Sequence, residues 1–193
     1  MARHTKITLK QRQKYGLAPE SDSIRRKNIR KPKQSAYAER LEQKQKLKLI
    51  YGVMEKQMTR YVREAFNSQR DVQVELMQKL ENRLDNVAYR LGFGKTREQS
   101  RQLVNHGHVL INDKKVDIPS YSVKQGEVIS LRKKTISKRF FLELVENNRK
   151  AMAQVSYLGY EVNGGRVLGS PAQTDVEQNV DVSKVLEFYR QKI

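Results

Sequence analysis

RLDNVAYRLGFGKTREQSRQLVNHG, Arg83 to Gly107, holds two regular segments on either side of a pair of glycines. Leu84, Val87, Ala88 and Leu91 recur at i, i+3, i+4 and i+7, which is one apolar face of a helix. Gly92 follows the last of them, where a helix C-terminus takes the left-handed conformation that glycine adopts without steric cost. Thr96 with Gln99 three residues later is a capping-box pattern, so a second helix starts there. Ser100, Leu103 and Val104 then point inward, with Arg97, Arg101 and Asn105 on the opposite side. Gly94-Lys95-Thr96 is also how a phosphate-cradling loop ends, but that loop needs G-x-x-x-x-G-K-[ST] between a strand and a helix. Position 89 is Tyr89 instead of glycine, and the preceding residues follow a helical period. The stretch is a tight helix–loop–helix with one basic side, not a nucleotide site.

The 193 residues carry 39 basic and 21 acidic side chains, for a formal charge of +18. Such a field attracts a polyanion. The excess is uneven: +11 over residues 1–82, +8 over 83–139 and −1 over 140–193. The polyanion therefore meets the first two-thirds, and the last third closes the core or faces protein. No run of 18 apolar residues exists for a transmembrane span, and the first residues lack a signal-peptide core. The absence of cysteine rules out disulfides and thiolate chemistry and fits the cytosol. No membrane partner and no small-molecule substrate are expected.

Around the central stretch, residues 1–34 read as a basic arm, with Arg25, Arg26, Lys27, Arg30, Lys31 and Lys33 clustered about Pro32. From Ser35 to about Phe66 the period is helical. Leu41, Leu47, Leu49, Ile50, Val53 and Met54 are available for burial, and Lys44, Lys46 and Lys48 mark the wet side. Gly52 suggests a break between two helices; Tyr51 and Tyr61 fit either a core or a stacking role. Asp71 begins another helix carrying Val72, Leu76, Met77 and Leu80. After residue 106, HVLIND and KKVDIPSYSV read as a hairpin turning at Asn112-Asp113. QGEVISLRKK adds a strand after Gly126, and Pro119 marks an edge or a bulge. Residues 140–152 are helical, VSYLGYEVNGGRVLGSP gives one or two strands with a glycine turn, and VSKVLEFYRQKI closes with a helix. The fold class is α+β. Its domains are an arm (1–34), a mostly helical domain (35–82, completed by parts of 140–193), a small helix-loop-helix and short-strand module (83–139), and a closing segment (140–193).

No catalytic constellation is visible. There is no Gly-x-Ser-x-Gly elbow and no close carboxylate pair, and His4, His106 and His108 are too few and scattered for a metal. Neither enzyme activity, a cofactor nor a metal is expected.

RLDNVAYRLGFGKTREQSRQLVNHGHVLINDKKVDIPSYSV closely resembles the alpha-L-type RNA-binding module of the S-four family, small-subunit ribosomal protein four of bacterial or organellar type. YAERLEQKQKLKLIYGVMEKQMTRYVREA (37–65) resembles the family's first-domain helices, MARHT its N-terminus, and SYLGYEV…GRVLGSP…DV…VLEFY (156–189) its closing segment. The resemblance implies a structural constituent of the small subunit. It also implies a primary binder of the 5′ domain of the rRNA that nucleates assembly, touches ribosomal protein five, lies near mRNA at the entry channel, contributes to decoding accuracy and represses its own operon. Cytoplasmic or organellar ribosomes are the setting it implies. Three departures stand out. No cysteine-bearing zinc knuckle is present, Asn112-Asp113 replaces the usual Asn-Gly, and Tyr157 stands where members commonly have Trp.

A folded RNA junction is read by shape, phosphates and 2′-hydroxyls, which calls for Arg, Lys, Asn and Gln on rigid helices. Arg83, Arg90, Lys95, Thr96, Arg97, Arg101, Gln102, Asn105 and His106 supply such a surface, with helix N–H donors near Thr96. Arg25, Arg26, Lys44, Lys48, Tyr51 and Lys138 complete the expected RNA-binding set. The strongest rival is an RNA-modifying enzyme with the same module, which needs a catalytic domain that 54 further residues do not supply.

Overall fold

Helix breaks and caps fall where local chemistry demands them. The computed structural model describes Tyr15 and residues 35–136, 139–151, 154–172, 175 and 179–192; Lys138 lies outside these, as do Arg25, Arg26 and the rest of the basic arm apart from Tyr15. Two compact units are formed, Met1–Thr59 with Asn179–Ile193, and Arg60–Gln178.

In the first unit, α1 (Ala36–Tyr51) starts at Ser35, whose side chain accepts from Ala38 N–H, and stops at Gly52 in the left-handed region (φ 59°). α2 (Glu55–Phe66) follows, and the division between units falls within it. The last helix of the chain, α8 (Val182–Arg190), is capped by Asp181 and packs on α1. Leu47, Tyr51, Val185, Phe188 and Tyr189 are buried. Arg40 pairs with Glu187 at 2.9 Å and Lys184 with Glu39 at 3.1 Å.

Two expectations are corrected here. Lys44 is not on a wet side: it is 4 % exposed. Its ammonium donates to both Glu55 oxygens at 3.1 Å and lies 4.6 Å from the Phe188 ring centroid. A buried cation is tolerable when paired and hydrogen-bonded, and the partner comes from the helix beyond the Gly52 break. Met54, expected inside, is exposed because it sits in the connection between α1 and α2.

In the second unit, α3 (Val72–Glu81) is capped by Asp71, which accepts from Gln73 and Val74 N–H. α4 (Leu84–Arg90) has no side-chain cap. Its first N–H groups donate instead to a loop, Leu84 to Tyr121 O at 2.8 Å and Asp85 to Pro119 O at 3.2 Å. Pro119 thus lies outside the strands and its carbonyl serves as a cap. Gly92 (φ 80°) ends the helix, and α5 (Arg97–Asn105) starts at Thr96. The strands β1 (Val109–Ile111), β2 (Lys114–Lys115), β3 (Val128–Leu131), β4 (Leu158–Glu161) and β5 (Gly164–Val167) form one antiparallel sheet in the order β2-β1-β3-β5-β4. Asn112 and Asp113 both have positive φ (47° and 64°), as a two-residue hairpin turn with the strands' own twist requires. Leu84, Val87, Leu91, Phe93 and Val104 of the helix pair share one core with Val109, Ile129, Leu131, Val145, Tyr157 and Val167. The class is α+β.

The tail's glycines do not make its turn. Val162 and Asn163 turn, while Gly164 and Gly165 lie in β5. A Cβ on Gly164 would strike Ile129 O, and one on Gly165 would meet the Leu91 side chain and stand 2.6 Å from Gly159 O. Close approach of β5 to β3 and α4 selects glycine there. Between β3 and β4 run α6 (Lys133–Ile136) and α7 (Arg139–Ala151). Asn148 donates to Gly92 O at 3.0 Å, and Arg149 to Leu91 O at 2.8 Å, Glu161 O at 2.6 Å and Gly164 O at 2.7 Å. α7 therefore fixes both the α4–α5 loop and the β4–β5 hairpin.

Candidate nucleic-acid interface

The helix–loop–helix expected from the sequence is formed, and α4 rather than a strand precedes Gly94-Lys95-Thr96. Thr96 Oγ1 accepts from Gln99 N–H at 3.2 Å, while Gln99 Oε1 accepts from Lys95 N–H at 2.7 Å. The box is closed one residue earlier than the usual pattern. The cap thereby consumes the N–H groups of Lys95 and Gln99, so those two are not offered to a phosphate.

Lys95, Thr96, Gln102, Asn105 and His106 are exposed, and Arg97 and Arg101 are half-buried. The arginines are anchored from beneath. Arg97 Nε donates to Asn86 Oδ1 at 2.7 Å, Arg101 Nε to Asp85 Oδ2 at 2.7 Å, and Arg90 Nε to Glu81 Oε2 at 3.2 Å. Each of the three uses its inward nitrogen on an acceptor from the end of α3 or the start of α4. Arg97 also lies over the Tyr89 ring.

The acceptors themselves are buried. Glu81 takes Asn86 Nδ2 at 2.7 Å, Arg90 Nη2 at 3.0 Å and the Tyr157 hydroxyl at 3.0 Å. Burial first, and the Glu81 charge second, push the Tyr157 hydroxyl well above the usual phenol range, so it stays a donor. Asp85 takes Arg83 through Nε (3.1 Å) and Nη2 (2.8 Å). Burial pulls the Arg83 guanidinium down, but the Asp85 carboxylate outweighs it and the net shift is upward.

Several expected RNA ligands are thus placed elsewhere. Arg83 is buried on Asp85 and Tyr61, the latter at 2.9 Å. Tyr51 is 2 % exposed and belongs to the core with Lys44. Lys48 is half-buried, 2.5 Å from Glu55. Arg90 is tied to Glu81 and donates to Asp175 O at 2.9 Å. Sequence reading missed Glu81, Asp85, Asn86 and Tyr89. A carboxylate in the Arg83-Leu84-Asp85 triplet, amid strongly basic surroundings, was the visible trace of the anchoring row. Among the described residues no group of three or more His, Cys, Asp or Glu is placed to hold a metal. No described helix is long and apolar enough to cross a membrane.

Residues 82–129, which contain this helix pair, match the S4 domain, and residues 1–82 match the ribosomal protein S4/S9 N-terminal domain. The small ribosomal subunit protein uS4 of Persephonella marina is 48 % identical over 162 residues, 83 % of this chain and 79 % of the relative. The chain belongs to the uS4 family of small-subunit ribosomal proteins. A uS4B protein of Clostridium acetobutylicum is 42 % identical across 84 % of both chains. The uS4 of Thermotoga petrophila is 42 % identical across 83 % of this chain and 78 % of its own. Membership makes the chain a structural component of the ribosome and not an enzyme, and the bacterial ribosome is cytoplasmic.

Proposed function

We propose that the α4–α5 face binds the folded 5′ domain of small-subunit rRNA and nucleates assembly there. The observation that carries the reading is a rigid helix pair offering Lys95, Thr96, Gln102, Asn105 and His106 to solvent beside Arg97 and Arg101, whose guanidinium groups are held from beneath. A-form RNA hides its base edges in a deep groove, so a junction is recognised through phosphates and 2′-hydroxyls at fixed spacing. An exposed donor surface suits that task. Arg25, Arg26, Lys48, Arg90 and Lys138 are further candidate contacts, whereas Lys44, Tyr51 and Arg83 act through packing.

The family resemblance extends the proposal to mRNA near the entry channel, to decoding accuracy, to repression of the protein's own mRNA, and to a contact with ribosomal protein five. The near-neutral last third supports a protein contact, since it exposes Val162 (83 %) and Leu168.

The test is binding to a 5′-domain rRNA transcript beside an unrelated RNA of equal length, across rising salt. A polybasic chain binds both, and affinity falls as counterions compete. Preference for the rRNA that persists at high salt is expected. Coinciding curves throughout would overturn the reading.

A further inference from the structure

Resting on that rRNA-binding reading, we infer that Asp85 is a positioning residue which sets discrimination among RNAs by holding Arg101 still, at the expense of general RNA affinity. A carboxylate directly under a phosphate-binding face is electrostatically adverse, so its presence calls for a reason. Asp85 Oδ2 accepts from Arg101 Nε at 2.7 Å and lies 2.6 Å from Arg101 Nη2, a two-point grip. From the other side Arg83 clamps both carboxylate oxygens, and its Nη1 is fixed in turn by the Tyr61 hydroxyl. The Asp85 backbone is held as well, because its N–H donates to Pro119 O. The carboxylate can neither rotate nor leave, and the Arg101 guanidinium inherits that rigidity.

Two consequences follow for RNA. The Asp85 charge offsets part of the Arg101 charge, so Arg101 attracts a random phosphate less than a solvated arginine does. The planar guanidinium is also pre-oriented, so it pairs well only with an oxygen that the RNA's own shape delivers to that place. A mobile arginine would follow any backbone.

The experiment uses the full chain as wild type, Asp85→Asn and Arg101→Lys, with folding verified by circular dichroism and thermal melting. Each is titrated with the 5′-domain transcript and with the unrelated RNA, at low and high salt. Asp85→Asn removes the charge and turns an amide N–H₂ toward a guanidinium. Arg101→Lys keeps the charge, loses the two-point grip and leaves the Asp85–Arg83 clamp intact, so it decides the matter should Asp85→Asn not fold. In Asp85→Asn, unrelated-RNA affinity at low salt is expected to rise by up to about tenfold while the rRNA preference falls by about tenfold. In Arg101→Lys the rRNA affinity is expected to fall more than the unrelated-RNA affinity, so that the preference again falls by about tenfold. Wild-type discrimination retained in a folded variant, or affinities for both RNAs falling in parallel, overturns the inference alone. A wild type that does not discriminate brings down the rRNA reading, and this inference with it.

Discussion

Arg97 lies across the ring of Tyr89, with its guanidinium carbon 4.6 Å from the centroid. The ring steadies a cation that Asn86 already holds at Nε. Tyr89→Leu keeps an apolar support and removes the π face. A cation–π contact near the surface contributes about 0.5–1 kcal/mol, so 5′-domain affinity is expected to fall about two- to fivefold with the melting temperature little changed. Fluorescence anisotropy with labelled RNA measures this, and unchanged affinity would remove Tyr89 from the interface.

Arg97 and Lys44 are both cations of the expected set, yet they should separate cleanly. Arg97→Gln lowers the slope of log affinity against log salt by about 1, as loss of one phosphate contact does. Lys44→Gln leaves that slope unchanged. Instead it destabilises the protein by about 1–2 kcal/mol, less than the several kcal/mol of a fully buried pair because Glu55 keeps Lys48 and is itself partly exposed. Salt titration and thermal melting on the two variants give the comparison.

Glu55 carries a pH dependence. Burial raises its carboxyl, but Lys48, the Tyr189 hydroxyl and Lys44 outweigh it, bringing the group from 4.5 down to about 2. A carboxylate with a depressed folded-state value stabilises fully above its ordinary range and loses that contribution as pH falls toward the folded value. Wild type is therefore expected to melt above Glu55→Gln at pH 7, with the gap shrinking between about pH 4.5 and 2. A gap constant over that window would show that the cluster does not ionise as described.

Two small residues near the α4–α5 loop predict opposite outcomes. Ser100 Oγ is buried without a hydrogen-bond partner among the described residues. Ser100→Ala is therefore expected to be neutral within about 0.5 kcal/mol, or stabilising, since no bond is lost. A Cβ on Gly94 would stand 2.8 Å from Ser100 N, so Gly94→Ala should destabilise whether or not Ser100 is truncated. Gly165→Ala in β5 is expected to cost about 1–3 kcal/mol, or about 2–4 °C of melting temperature per kcal/mol for a chain of this size.

Local signals were legible in the sequence, and long-range pairing was not. The period of Leu84–Leu91, the stop at Gly92, the cap at Thr96 and the turn at Asn112-Asp113 each depend on residues within a few positions, and each stands as read. The basic side of α5 followed from the same period. Lys44 was misread because a lysine run at helical spacing looks the same whether or not a carboxylate from the next helix covers one member. Arg83 and Arg90, seven apart, share one face of an ideal helix. Asp85 and Glu81 decide where they point, and no spacing rule pairs a carboxylate with an arginine sixteen residues away, as Asp85 does with Arg101. The β5 glycines looked like turn residues because the backbone and Leu91 that approach them come from distant parts of the chain.

The order of strands in the sheet bears on how the chain is made. β3 pairs with β1 on one side and with β5 on the other, and α1 packs on α8, the last helix. During synthesis β3 leaves the exit tunnel with one edge open, and α1 emerges before the helix that covers it. The edge is sealed when β5 arrives, and the helix only when α8 does. The newborn protein therefore carries an unpaired β3 edge until β5 is made, and the Leu47 and Tyr51 side of α1 stays uncovered until α8 arrives, exposures that invite chaperone capture or wrong pairing. A helix made early, α1, is completed only by one made much later, α8.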